Sequence, residues 1–168
     1  MKMDLKKSKR DVIVLILLVA LVMSSVVSIA EYNSINRAIS SCVRSIILCV
    51  DNSSIEMEEC ATIEEKEQNI YFFSVTIRSL NTQIEELTKG SFFHRGYSLN
   101  ELWRYISMVR SDSKNVDEAV KKYKKLNEII KETDILEIVN NDQGVSMPAL
   151  REKIKIINDF CSSELHQY

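Results

Sequence analysis

Residues 12 to 30 read VIVLILLVALVMSSVVSIA, nineteen residues from Val12 to Ala30 with no charge between Asp11 and Glu31. At ~1.5 Å rise per residue they make a helix roughly 28 Å long, close to the ~30 Å hydrocarbon thickness of a bilayer. One transmembrane crossing is predicted. Lys6, Lys7, Lys9 and Arg10 stand just before the run, whereas Glu31 follows it and only Arg37 and Arg44 lie nearby beyond. Because basic residues are retained on the cytoplasmic side, these four set the expected topology. Residues 1–11 form a cytoplasmic tail, 12–30 a signal anchor, and 31–168 an extracytoplasmic domain of a single-pass protein in the plasma (inner) membrane. A cleavable signal peptide uses the same features, with Ser28-Ile29-Ala30 as the cut and a secreted or periplasmic product. The length of the run, and the lack of proline or glycine before Ala30, favour the anchor.

The chain carries three glycines and one proline in 168 residues, whereas sheet-rich folds spend both on turns. An all-α fold is expected. From Ile35 the apolar positions Ile35, Ile39, Cys42, Ile46 and Cys49 alternate in steps of four and three, the spacing of a coiled-coil seam. The seam runs directly out of the apolar segment, which predicts one long helix ending at Asp51-Asn52-Ser53-Ser54. Further helices are predicted over about 55–89, 99–110, 115–140 and 147–165. The second carries the seam Ile63, Ile70, Phe73, Ile77, Leu80, Ile84 and Leu87 and is stopped by Gly90. Ser98 and Glu101 form a capping box for the third. The fourth presents Val116, Ala119, Tyr123, Leu126, Ile130 and Leu136. The last starts at Ser146 and Pro148, with Met147, Leu150, Ile154, Ile157 and Cys161 inward. Such stripes cannot be buried singly, so the expected architecture is an antiparallel helical bundle or coiled-coil hairpin.

Charge divides unevenly: five Lys/Arg against two Asp in the first thirty residues, 17 against 22 Asp/Glu in the remaining 138. An acidic domain is a poor partner for nucleic acid, which needs a dense basic face. Lys121, Lys122, Lys124 and Lys125 cluster, but Glu118, Glu128 and Glu132 bracket them at helical spacing, the pattern of a solvated face.

Cys42, Cys49, Cys60 and Cys161 all fall on the expected outer side, where disulfides form. Cys42 and Cys49 sit seven residues apart on one helix, ~10 Å in rise and beyond the ~7 Å reach of a bridge. In a hairpin turning at 51–54, Cys49 lies level with Cys60, which leaves Cys42 for Cys161. Asn52-Ser53-Ser54 matches a glycosylation sequon at that turn.

Nucleophile-elbow, zinc-protease, dinucleotide and phosphate-loop motifs are all missing from the sequence, and His94 and His166 are isolated. Neither enzymatic activity, cofactor nor metal is expected. The loop Gly90 to Ser98 holds Phe92, Phe93, His94, Arg95 and Tyr97, and aromatic and Arg residues are common anchors of interfaces. That loop is the candidate partner-binding surface. The reading is a membrane-anchored interaction protein, a regulator or scaffold of an envelope assembly, whose partners are the lipid bilayer and another protein or itself. The alternative is an extracytoplasmic bundle that senses a ligand held between its helices.

Overall fold

The computed structural model describes residues 2–60, 62–91, 94–111, 116–141 and 144–166, with the side chains of 2–11 and 111 outside that description. The described residues are all helix, turn or irregular, with no strand. Six helices follow in order: α1 Lys2–Glu59, α2 Ile63–Thr88, α3 Asn100–Ser111, α4 Val116–Glu132, α5 Ile135–Val139 and α6 Met147–Leu165. The chain divides into two compact units, Met1–Ile35 and Asn36–Tyr168.

The first unit contains the apolar part of α1, the one helix among the described residues long and apolar enough to cross a membrane, by length and composition. Its large apolar side chains from Val12 to Ile29 are exposed, Leu21 at 68%. Inside the run, the Ser25 hydroxyl donates to the Leu21 carbonyl at 2.9 Å, so its polarity is absorbed by its own helix.

The second unit is a helical bundle. The first difference from the sequence expectation is at Asp51-Asn52-Ser53-Ser54, where α1 does not end. Ser53 Oγ donates to the Val50 carbonyl at 2.8 Å and Ser54 Oγ to the Asp51 carbonyl at 3.0 Å. Both hydroxyls turn back onto the helix, and both serines are buried. From α4, Asn127 Nδ2 donates to Asp51 Oδ1 at 2.9 Å and to Ser54 Oγ at 2.8 Å, and Lys131 Nζ pairs with Asp51 at 2.8 Å. Side chains that would cap a helix end are here given partners across the bundle. The sequon therefore lies within a helix, with two of its three residues buried.

The turn comes nine residues later. The Cys60 amide bonds the Glu56 carbonyl at 3.0 Å, and Thr62 opens α2 through a reciprocal capping box with Glu65. That signal, Thr62-Ile63-Glu64-Glu65, stands in the sequence, but the 51–54 cluster precedes it with equally strong local capping propensity. α2 then returns alongside α1, bringing Gln83 Oε1 to 3.9 Å from Cys42 Sγ.

Ile39, Val43, Ile46, Ile47, Val50 and Met57 form the buried face of α1, while Cys42 and Cys49 are only half-buried. This face is wider than a two-helix seam, as a helix facing several neighbours requires. On α2 the buried positions are Ile70, Phe73, Ser74, Ile77, Asn81 and Ile84; Leu80 and Leu87 are half-buried and Ile63 is 65% exposed at the turn.

The predicted fourth helix is two helices. Asp134 adopts φ 54°, ψ 23°, a left-handed conformation that Asp tolerates better than most residues, and it separates α4 from α5. A continuous helix would point Ile135 about 140° away from Ile130, at ~100° per residue. With the break, Ile135 and Val139 are buried and Leu136, the expected inward residue, is half-buried.

α3 packs on both α6 and α2. Its start is held from outside, not by the expected capping box: Asn81 Oδ1 accepts from the Leu99 amide at 2.7 Å, and Asn81 Nδ2 donates to Asn100 Oδ1 at 2.6 Å. Ser98 Oγ is buried without a hydrogen-bond partner, while its carbonyl accepts from Asn158 Nδ2 at 2.9 Å. Replacing Asn81 with Ala leaves the buried Leu99 amide unpaired and is expected to cost about 1–3 kcal/mol, read from urea unfolding. Asn81→Asp keeps the acceptor and should recover most of the loss. A cost no larger than that of the exposed Thr82→Ala would show that the bridge contributes nothing.

Candidate functional site

The loop after α2 was expected to display aromatic residues. Phe92 and Phe93 lie outside the described residues. His94 and Tyr97 are each 3% exposed, so both point into the bundle and neither is available to a partner. The Tyr97 hydroxyl donates to the Met147 carbonyl at 3.1 Å, and Arg151 lies over its ring at 4.9 Å. His94 Nδ1 is 2.7 Å from Ser91 Oγ and Nε2 is 2.9 Å from Asn36 Oδ1, which ties the loop to α1. Gly96 adopts φ 85°, the left-handed conformation that turns the chain between these two buried rings. Of the described loop residues in the expected surface, Arg95 alone is exposed.

Burial first, and the nearby Arg151 charge second, hold the His94 imidazole below its usual pKa. Asp51 moves the same way for other reasons: hydrogen bonds from Lys131 and then Asn127 outweigh partial burial and hold its carboxyl down.

All four cysteines are free thiols, and the expected pairing is corrected by the helix geometry. Because α1 continues to Glu59, Cys49 and Cys60 sit eleven positions apart along one nearly continuous helical path, ~16 Å in rise, far beyond bridging distance. Cys42 faces Gln83 on α2, and Cys161 is fully buried on α6. Burial raises the Cys42 and Cys161 thiols, and burial with the Glu56 charge pushes Cys49 up to about 11. None of these three resembles an activated nucleophile, which needs a lowered pKa. Cys60 accepts from Asn69 Nδ2 at 3.1 Å beside the α1–α2 turn.

Three of the four clustered lysines are spent on the bundle itself. Lys122 pairs with Glu118 at 3.2 Å, Lys124 with Glu58 on α1 at 2.8 Å, and Lys125 with Glu164 on α6 at 2.9 Å. Such pairs at or near the surface add little stability singly, but they engage three of the four charges that an anionic surface would need. The side chains of Lys6, Lys7, Lys9 and Arg10, the expected topology determinants, lie outside the described residues. No group of three or more His, Cys, Asp or Glu among the described residues is arranged to hold a metal ion.

A surface that the sequence reading missed lies on the outer side of α2. Tyr71, Phe72 and Val75 are 52%, 62% and 46% exposed, at helix positions opposite Ile70, Phe73 and Ile77. Arg110 lies over the Tyr71 ring at 4.3 Å and Arg78 over Trp103 at 5.2 Å, so two guanidinium groups flank the apolar strip. Neither has a carboxylate partner among the described residues. The sequence signal for it is that Tyr71 and Phe72 break the polar side of an otherwise amphipathic pattern.

Two expectations follow. The unfolded chain protonates His94 near pH 6.5, before the folded chain does, so stability is full above that pH and falls as pH drops toward the lower folded-state value. Thermal unfolding compared at pH 7.5 and 5.5 should show this drop for the native chain and a smaller one for His94→Gln; equal drops would assign it elsewhere. Unfolding temperature should also be the same with and without reductant, and Cys161 should be alkylated only in denaturant, whereas a structural disulfide would make reductant destabilising. Comparison of the chain with protein-family models, with curated proteins and with solved structures finds no match in any of the three.

Proposed function

We propose that this protein is a non-enzymatic, single-pass membrane protein with its N-terminus in the cytoplasm, whose helical domain binds another protein outside the cytoplasmic membrane as a regulator or scaffold of an envelope assembly. Exposed apolar residues from Val12 to Ile29, preceded by Lys6, Lys7, Lys9 and Arg10, support the anchor and its orientation.

The observation that carries the binding role is the strip Tyr71, Phe72 and Val75. Arg110 lies over the Tyr71 ring and Phe72 meets Phe73 edge-on, yet both residues remain more than half exposed on the outer face of a helix that already buries its inner face. The flanking Arg78 and Arg110 specify the partner's chemistry: a helix with an apolar stripe edged by carboxylates. Aromatic groups with guanidinium neighbours are the side chains on which interface energy concentrates.

A photoreactive phenylalanine analogue placed at position 72, in cells carrying the full chain in its native membrane, should cross-link to one discrete partner. Arg78→Glu should reduce that product severalfold, and the same analogue at the exposed Glu152 should give none. Cross-linking at 152 equal to that at 72, or none at 72, would overturn the assignment of this face.

A further inference from the structure

Exposed apolar surface in the second unit is concentrated on one hairpin. Among its described residues seven large apolar side chains are exposed, and six of them belong to α1 and α2; the seventh, Ile156, stands alone on α6. Concentration of this kind marks a surface that another molecule covers.

The contacts of Cys42 with Gln83 and of Cys60 with Asn69 show which residues of the two antiparallel helices lie level. Within about one turn, Leu48 on α1 lies level with Val75 on α2, and Ile55 with Phe72. These four are 38%, 46%, 49% and 62% exposed, so the apolar surface is wider than α2 alone. The groove between the helices opens at both ends of this stretch, beside Ala38, Cys42 and Leu87 and again beside Glu56, Glu59 and Asn69.

Charges follow the same rows. Arg44 lies level with Arg78 at one end, and Glu56 with Glu67 and Glu59 with Glu64 at the turn. All six are exposed, and none has an ion pair among the described residues. Opposite charges placed level would support the hairpin, whereas this one sets like level with like. Glu56 and Glu59 also end α1, whose last turn holds no basic residue, so they meet the negative pole of the helix dipole. Stability of the hairpin accounts for neither pattern. Complementary charge brought from outside accounts for both.

We propose that this groove seats one helix of a partner protein, laid lengthwise. Its apolar stripe covers Leu48, Ile55, Phe72 and Val75, its lysine or arginine side chains meet the glutamates at the turn, and its carboxylates, about three turns away, meet Arg44 and Arg78. A second copy of this chain standing in the same orientation would bring glutamates level with glutamates, so it is the wrong occupant. This occupant presupposes protein binding by the outer face of α2, proposed above, and adds the α1 half of the surface and an order of charge.

The test places a photoreactive phenylalanine analogue singly at positions 48, 55 and 72 of the full chain in its native membrane and maps the cross-linked residues by mass spectrometry of the peptides. All three should mark one segment of one protein. The sites reached from 48 and 55 should be about seven residues apart, with basic residues beyond the 55 site and acidic residues beyond the 48 site. Glu56→Gln together with Glu59→Gln should reduce the product at 55 severalfold, while the unfolding temperature stays the same or rises, which separates lost recognition from lost folding. A product at 72 with none at 48 and 55 would overturn the groove and leave binding by α2 intact; none at 72 would overturn both. Cross-linking to a second copy of this chain, a segment without this order of charge, or an undiminished product from the double variant would each overturn the occupant.

Discussion

One buried amide fixes the register of this domain. Asn127 on α4 reaches α1 at Asp51 and Ser54, and with Lys131 beside it supplies partners for polar groups that would otherwise end the helix. Leaving a buried donor or acceptor unpaired costs about 1–3 kcal/mol, so the amide and the α1 groups it meets stabilise one another only in this alignment. Everything downstream inherits it. The α1–α2 turn is displaced from 51–54 to the Cys60–Thr62 region, Gln83 comes level with Cys42, and the thiols that a turn at 51–54 would have brought level lie far apart on one helical path.

The same logic recurs at smaller scale. Asn81 starts α3 from α2, and His94 pins the loop before α3 to Asn36 on α1. Each is a polar side chain with few alternatives inside an apolar bundle, and each joins elements distant in sequence. Apolar burial brings the helices together, whereas these amides and the imidazole choose among alignments of similar hydrophobic quality. The ion pairs from Lys124 and Lys125 to α1 and α6 lie on the surface, where solvent screening limits them to supporting the choice.

Much of the architecture was legible because the chain is so poor in glycine and proline and its stripes are so regular. Ile70, Phe73, Ile77 and Ile84 on α2, and Met147, Leu150, Ile154, Ile157 and Cys161 on α6, are buried as their spacing implies. The misreadings have one physical origin. A run such as Asp51 to Ser54 ends a helix by local propensity, and only a partner from residue 127, unknowable from local sequence, reverses it. Asp134 breaks a helix with no glycine or proline to announce it, because the burial of Ile135 and Val139 outweighs the local cost. A loop position suggests display for His94 and Tyr97, yet each finds a hydrogen-bond partner on another part of the bundle. The α2 outer strip is illegible for the opposite reason: the inward seam already accounts for a stable helix, and isolated outward aromatic residues are common on protein surfaces.

The left-handed residue between α4 and α5 acts as a swivel joint. A single straight helix can face one wall of a core, but a joint lets the chain turn its apolar side toward a second wall without spending a loop. The five residues of α5 then seat Ile135 and Val139 in the core and lie against α6, so one backbone conformation lets a single stretch of chain serve two packing directions.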